Sequence, residues 1–187
     1  GAGEKAFVAG ADISKFGKER DSQAAVDEYG AAVKSFQDTL TIAPIPTIAK
    51  IGGYAIGGGL AIALCCDIRI ASDDSRFAVP AAKLGLGYAA AGIERLMQIV
   101  GPSFAMEIFY TARQFDAAEA QTMGLVNRVV PRAELESICD DFVKRISGNA
   151  PLTIRAVKTA ATENLKAHAD RDLKLCAEQV AACFASE

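Results

Sequence analysis

The sequence lacks the residues and spacings that a metal centre needs. It has a single histidine, His168, and two of its five cysteines, Cys65 and Cys66, are adjacent rather than spaced as C-x-x-C. We therefore expect no metal site. The odd number of cysteines, in apolar or helical segments and without a recognisable signal peptide, favours reduced thiols and a cytoplasmic location.

The chain also lacks a basic excess and a long apolar run. Its net charge is -3 and its basic residues are scattered, so a nucleic-acid partner is not expected. Lys50, Asp67 and Arg69 bracket the longest apolar stretch, which is shorter than the roughly 20 residues that cross a bilayer. We expect a soluble protein with no membrane partner. With 187 residues, 51% of them hydrophobic, the chain can bury a continuous core.

Strand and helix patterns alternate in the first half of the chain. Residues 5–13 read as a strand, and apolar residues at spacings of three and four predict a helix from Asp21 or Ser22 to about Leu40. Residues 47–55 predict one buried strand, residues 59–67 a buried helix, and residues 68–80 a strand, a polar turn and a second strand. This alternation indicates an α/β fold. The opening "GAGEKAFVAG" resembles the tail of a strand, so we expect that part of the domain precedes it.

Helical patterns dominate after Pro80. We predict helices over residues 92–101, 103–112 and 116–124, with Asp116 and Glu119 forming a capping box in the last of them. A strand over residues 125–131 follows. Two long helices then complete the chain, one over about residues 134–148 and one from Pro151 to the end.

The stretch "IGGYAIGGGLAIALCCD" raises the main question of function. A turn of glycines (residues 56–59, the glycine turn) between a strand and a buried helix aims backbone N–H groups at one point, where the helix dipole favours negative charge. A phosphate, a pyrophosphate or the oxygen of an activated carbonyl could bind there. The motif lacks the Gly-Lys-Ser/Thr of a phosphate loop and the register of a dinucleotide fingerprint. Close packing alone remains the structural alternative.

A second small-residue bend favours the carbonyl. Residues 9–12, "AGAD" (the first bend), also leave the end of a predicted strand and can offer an unpaired N–H. Two such donors that converge on one oxygen form an oxyanion hole.

Four segments together resemble the enoyl-CoA hydratase/isomerase (crotonase) superfamily: "EKAFVAGADI", "IPTIAKIGGYAIGGGLAIALCCDIRIAS", "RFAVPAAKLGLG" and "FYTARQFDAAEAQTMGLVNRVVP". The resemblance implies a crotonase-like fold of ββα units, with a core over residues 1–131 and a C-terminal helical trimerisation region over residues 132–187, both apparently truncated. It implies homotrimers or hexamers and an acyl-CoA thioester substrate, with no cofactor besides the coenzyme A of the substrate.

The resemblance places the thioester oxygen on the N–H groups of Ala11 and Gly58. It assigns substrate contacts to Ala9, Asp12, Ile13, Ile56, Gly57, Ala61, Pro80, Ala81, Leu84 and Ala89.

Three of these positions depart from the family pattern. Hydratases of the family carry glutamates at the positions of Ala61 and Ala81, and isomerases carry an acid at the position that we align with Ala89. A methyl group cannot transfer a proton, so simple hydration is not favoured. Tyr88 stands where a malonyl-type decarboxylase branch has a tyrosine, although that branch has histidine at the position of Ala11. Three interpretations stay open: another enolate reaction, decarboxylation with Tyr88, and acyl-CoA binding without turnover.

Overall fold

The structure, a computed structural model, describes residues 3–12 and 22–185. Within these residues the strands form two sheets. One has the order β1-β3-β5-β6, in which β6 alone is antiparallel, and the other has the order β2-β4-β7 and is parallel throughout. The strands are β1 (Ala6–Val8), β2 (Ile48–Ile51), β3 (Tyr54–Ile56), β4 (Ile68–Ser72), β5 (Arg76–Ala78), β6 (Phe115–Asp116) and β7 (Arg128–Val130).

Helices occupy most of the remaining described residues. The α-helices are α1 (Gln23–Thr41), α2 (Gly58–Cys65), α3 (Ala90–Thr111), α4 (Ala117–Thr122), α5 (Leu135–Ser147), α6 (Pro151–Asn164) and α7 (Leu173–Phe184). Short 3₁₀ helices span Pro80–Leu84, Arg132–Glu134 and His168–Asp170.

The single strand predicted over residues 47–55 is wrong, because the chain forms β2 and β3 in different sheets. Gly53 separates them with a φ of 73°, and a Cβ atom there would lie 2.2 Å from the Lys5 carbonyl oxygen. Only glycine fits this turn. β4 and β5 also belong to different sheets. α2 follows the pair β2 and β3, and α3 follows the pair β4 and β5. The predicted α/β fold of ββα units is therefore confirmed.

The core lies between the sheets and the central helices. Buried side chains of β2, α2, β5, α3 and the segment after α4 form one continuous cluster, which accounts for the high hydrophobic content. A smaller cluster packs α5 against β4 through Leu135, Cys139 and Ile70. The fully buried large residues of the main cluster are Ile51, Leu60, Phe77, Leu96, Ile108, Phe115 and Leu125.

Several helix boundaries agree with the sequence predictions. Ser22 caps α1 by accepting a hydrogen bond from the N–H of Ala25 at 3.3 Å. Asp116 and Glu119 form the predicted capping box of α4. Gly101 interrupts α3 with a non-helical backbone, as expected from the separate helical patterns before and after it.

The uninterrupted helix predicted from Pro151 to the end is wrong. α6 ends at Asn164, and α7 packs back against it. The Glu163 carboxylate holds the reversal by accepting from the N–H of Asp172 at 2.8 Å, while Asp172 caps α7 by accepting from the N–H of Leu175 at 2.8 Å. The division into a core and a trimerisation region stays a prediction. No helix among the described residues is long and apolar enough to cross a bilayer.

Candidate functional site

Three parallel strands end at one edge of the first sheet. β1 pairs with β3 through Val8 and Ala55, and β3 pairs with β5 through Ile56 and Ala78. Because parallel strands place their carboxyl ends together, three segments leave the sheet side by side. They are the first bend, the glycine turn and residues 79–89, which we call the third loop. The N–H of Gly57 donates to the Ala78 carbonyl at 2.8 Å and fixes the glycine turn against the third loop.

The glycine turn begins α2 with unsatisfied backbone donors. Gly57 caps the helix with a φ of 56° and offers no side-chain acceptor. The first N–H groups of a helix have no acceptor within the helix, so the amide of Gly58 is available where the positive end of the dipole lies. Gly58 is exposed, and a Cβ atom added there would meet nothing within 4 Å.

Close backbone contacts bring the first bend and the glycine turn together. A Cβ atom on Gly59 would lie 1.9 Å from the Val8 carbonyl oxygen, and one on Gly10 would lie 3.1 Å from the Ile56 carbonyl oxygen. Gly59 of the glycine turn therefore lies against β1, the strand that leads into the first bend. Gly10 of the first bend lies against the end of β3, the strand that leads into the glycine turn. Both glycines belong to the two turns that the sequence analysis identified, although neither was assigned there as a site residue.

The structure brings several predicted substrate-contact residues to the same edge. Ile56, Gly57, Pro80 and the buried Ala81 belong to the converging loops, and Ala61 lies on α2 one turn beyond Gly58. The other predicted contacts are less closely placed. Ala9, Ala11 and Asp12 are exposed on the first bend, Leu84 and Ala89 are exposed further along the third loop, and Ile13 lies outside the described residues.

Tyr88 packs against neighbouring residues instead of facing the open edge of the sheet. Its half-buried ring meets Phe109 edge to face with centroids 4.9 Å apart, and Gly92 leaves the space that the ring occupies. Burial, with a smaller effect of Cys65, raises the pKa of the Tyr88 hydroxyl. Cys65 ends α2 and Gly58 begins it, about 10 Å of helical rise apart. This position favours a packing role, and the catalytic role stays a prediction.

A polar cluster fixes the opposite ends of the same strands. The Arg132 guanidinium donates to Asp74 at 3.3 Å and to the carbonyl of Glu4, which precedes β1. The Ser72 hydroxyl, together with Arg132, lowers the pKa of Asp74. Ser75 donates to the Ile51 carbonyl at 3.1 Å. The sequence gives no local signal for this cluster, because Arg132 and Asp74 are 58 residues apart.

Asp67, Glu94 and His168 do not belong to the converging loops. Asp67 accepts from the N–H of Thr47 at 2.7 Å and from the Lys158 ammonium at 2.8 Å, which is a structural role. Glu94 and His168 are exposed on helical segments. In the part of the chain that the structure describes, no three His, Cys, Asp or Glu residues are grouped as a metal site would require.

The amino-acid sequence is similar to those of known proteins over the whole chain. A family model described as enoyl-CoA hydratase/isomerase matches residues 1–187. A short-chain-enoyl-CoA hydratase from Clostridium acetobutylicum and a crotonyl-CoA hydratase from Syntrophomonas wolfei are each 36% identical over 187 residues. Both alignments cover 100% of this chain and 71% of the relative.

Solved structures share the fold. An enoyl-CoA hydratase/carnithine racemase from Magnetospirillum magneticum superimposes with a TM-score of 0.87 at 34% identity, covering 99% of this chain and 73% of the other. An enoyl-CoA hydratase from Bacillus anthracis gives a TM-score of 0.85 at 32% identity, covering 98% and 69%. The fold is thus that of the crotonase-type enzymes. The chain belongs to the enoyl-CoA hydratase/isomerase family.

Proposed function

We propose that this chain acts on an acyl-CoA thioester whose carbonyl oxygen is held by the backbone N–H groups of Ala11 and Gly58. The observation that carries this proposal is the close approach of the two turns, where a Cβ atom on Gly59 would overlap the Val8 carbonyl and one on Gly10 would lie 3.1 Å from the Ile56 carbonyl oxygen. The first bend and the glycine turn therefore leave the sheet as neighbours. The similarity to a short-chain-enoyl-CoA hydratase and a crotonyl-CoA hydratase agrees with a thioester substrate.

Two amides at this edge suit the formation of an enolate. A thioester becomes an enolate when its α-carbon loses a proton, a carboxylate or a leaving group, and negative charge then accumulates on the carbonyl oxygen. Donors already fixed at that oxygen stabilise the charge without reorganisation, and one of them is worth about 2.7 to 4 kcal/mol of barrier. The amide at the helix start also carries the favourable dipole.

The missing carboxylates favour a reaction other than simple hydration. Ala61 lies on the face of α2 that carries Gly58, and Ala81 is buried in the third loop, so both stand near the proposed oxygen site. No aspartate or glutamate occurs in residues 39–66 or 75–93. General acid or base help of the hydratase kind, worth roughly 10² to 10⁴ in rate, is therefore not available from these segments.

Decarboxylation is the second candidate, because it needs the two amides and only a weak proton donor. A carboxylate base would repel the leaving carboxylate of a malonyl-type thioester, so its absence suits this chemistry. Tyr88 is the proposed donor. Its contact with Phe109 gives it a packing role as well, and binding without turnover is the third interpretation.

Product analysis by mass spectrometry separates these functions. The protein is incubated with crotonyl-CoA and with a malonyl-type CoA, in the wild type and in Tyr88→Phe. Decarboxylation that falls about 10²-fold or more in Tyr88→Phe supports the hydroxyl as donor. Turnover of neither thioester, with CoA binding retained, supports the binding function. Rapid hydration of crotonyl-CoA by the wild type contradicts the exclusion of hydration.

A pair of substitutions at Gly58 tests the oxyanion site itself. Gly58→Pro removes the N–H at the first helical position, where proline is tolerated, and Gly58→Ala fills similar space but keeps the N–H. We expect turnover to be about 10² to 10³ lower in Gly58→Pro than in Gly58→Ala. Equal turnover of the two folded variants, verified by circular dichroism, would show that this amide does not hold the oxygen.

The remaining expectations accompany this proposal. Apolar residues exposed on α7, including Leu173 and Phe184, support assembly into trimers or hexamers. No disulfide forms among the cysteines that the structure describes, which agrees with the proposed cytoplasmic location. We propose no cofactor besides the coenzyme A of the substrate.

A further inference from the structure

A cavity of about 740 Å³ lies at the end of α2 remote from the glycine turn. Its walls come from residues 64–67, from Arg95 and Ile99 of α3, and from one face of α6. This volume is in the range of small-molecule sites. The helical rise of α2, about 10 Å, separates it from the proposed thioester site.

Positive charge exceeds negative charge around this cavity. Arg69, Arg95 and Lys158 line it together with a single carboxylate, Asp67. That carboxylate already pairs with Lys158 at 2.8 Å. Within residues 3–12 and 22–185, no ion pair includes Arg69 or Arg95. Neither guanidinium therefore has a carboxylate of the described residues within ion-pair distance.

The two arginines keep donors for a ligand. Arg69 donates to the carbonyls of Leu125 at 2.7 Å and Cys66 at 2.8 Å, and Arg95 donates to the Leu64 carbonyl at 3.5 Å. The contacts with Cys66 and Leu64 cap the end of α2. All three hydrogen bonds together use few of the five N–H groups on each guanidinium. The Nη2 of Arg69 has no hydrogen bond in the described part of the chain and is not fully buried, and Arg69 is one of the residues that line the cavity.

Electrostatics makes this arrangement costly without an anion. Burial is the main cause that lowers the pKa of Arg69; Cys66 and Asp67 oppose this effect, and Arg95 adds a small lowering. A planar carboxylate offers guanidinium groups paired, charge-assisted hydrogen bonds and relieves the repulsion between them.

The opposite wall of the cavity is apolar. Ile154, Val157 and Leu165 line it from α6 and the residue after it, and Ile99 adds to it from α3. Val157 and Leu165 are 64% and 55% exposed, so an aliphatic group in the cavity would remove apolar surface from water. The cavity thus combines a cationic end with an apolar face.

We propose that this cavity binds an organic carboxylate that carries an aliphatic chain. The carboxylate contacts Arg69 and Arg95, and the chain lies along the apolar face of α6. This site is independent of the proposed thioester site, since it shares no residue with it.

Isothermal titration of the full chain with sodium octanoate tests the proposal. We expect saturable binding of one octanoate per chain, weakened about tenfold or more in Arg95→Gln, because a hydrogen bond to a charged group is lost. Lys174→Gln, which removes the same charge on exposed α7, is the matched control and should bind like the wild type. 1-Octanol and inorganic phosphate, which each lack one half of the ligand, should bind at least about tenfold more weakly.

A second variant keeps the proposal testable if Arg95→Gln does not fold. Val157→Asp places a negative charge at an exposed position of the cavity wall and should also weaken octanoate binding about tenfold. Absence of saturable binding, equal binding in the cavity variants, or phosphate binding as tightly as octanoate would overturn the proposal. A saturating amount of acetyl-CoA should leave octanoate binding unchanged. Displacement would place octanoate at the thioester site instead and overturn the separate cavity site.

Discussion

The two ends of α2 differ in how their backbone groups are satisfied. At the first residue, Gly58, exposed N–H groups face an edge without a capping side chain. At the last turn, the carbonyls of Leu64 and Cys66 accept from arginines, and Asp67 is bound by Thr47 and Lys158. One end leaves its first N–H groups without a side-chain acceptor, whereas the other uses distant side chains to fix the helix. The same buried helix thus has a candidate catalytic end and a structural end.

This contrast explains why the candidate catalytic end has so few side chains. Main-chain donors need no side chain that could move or titrate, and their positions follow from strand pairing and close glycine contacts. The side chains around them therefore determine the reaction rather than the binding of the oxygen. We expect Ala61 and Ala81 to be the positions where that choice is made.

Restoring two carboxylates at the catalytic end should give the largest effect. We expect Ala61→Glu combined with Ala81→Glu to raise hydration of crotonyl-CoA about 10² to 10⁴-fold, because a general acid and base become available. The rate of formation of 3-hydroxybutyryl-CoA, followed by mass spectrometry, measures the gain.

The matched control carries glutamine at both positions. It has the same size and polarity but cannot transfer a proton, so its hydration rate should stay at that of the wild type. A gain in the glutamine variant, or none in a folded glutamate variant that binds the substrate, would show that these positions do not face the reacting carbons.

Breaking the contact between the turns should give the next largest effect. Gly59→Ala would place a Cβ atom 1.9 Å from the Val8 carbonyl oxygen, so β1 and α2 must separate. We expect a loss of about 3 kcal/mol in the free energy of unfolding, the upper end for overpacking, measured by urea denaturation. Gly58→Ala, where a Cβ atom meets nothing within 4 Å, is the control and should change the stability little. Equal stability of the two variants would contradict the close approach.

The two turns at the candidate catalytic end were predictable from the sequence, and the contacts of the structural end were not. The glycine turn, the first bend and the capping box of α4 depend on residues within four positions of one another. The contacts of Asp67 with Lys158, and of Arg132 with Asp74, join residues 91 and 58 positions apart, which no local pattern reveals. The split of residues 47–55 into two strands was missed for the same reason, since Gly53 turns against the distant Lys5.

Removing the carboxylate at the structural end should have a moderate effect. Asp67→Ala leaves two donors of Thr47 and the Lys158 ammonium, whose side chain is only 11% exposed, without their acceptor. We expect a loss of about 1 to 2 kcal/mol in the free energy of unfolding, because Asp67 itself is partly solvated. Asp38→Ala, which breaks an exposed pair on α1, should cost less than about 0.5 kcal/mol. An equal cost for both would mean that Asp67 is no more than a surface ion.

The smallest effect concerns the reversal between α6 and α7, and it should depend on pH. Hydrogen bonds from Lys166, and then from the N–H of Asp172, lower the pKa of Glu163 from its ordinary value of 4.5. Because the folded-state pKa is the lower one, the stabilisation is complete only above the unfolded value of 4.5 and is lost as the pH falls through the folded value. Glu163→Gln, which resembles the protonated acid, should lower Tm by about 2 °C at pH 7. Thermal unfolding of both proteins from pH 7 to pH 3 should show this difference vanishing at acid pH, whereas a difference that persists at pH 3 would assign the effect to shape rather than charge.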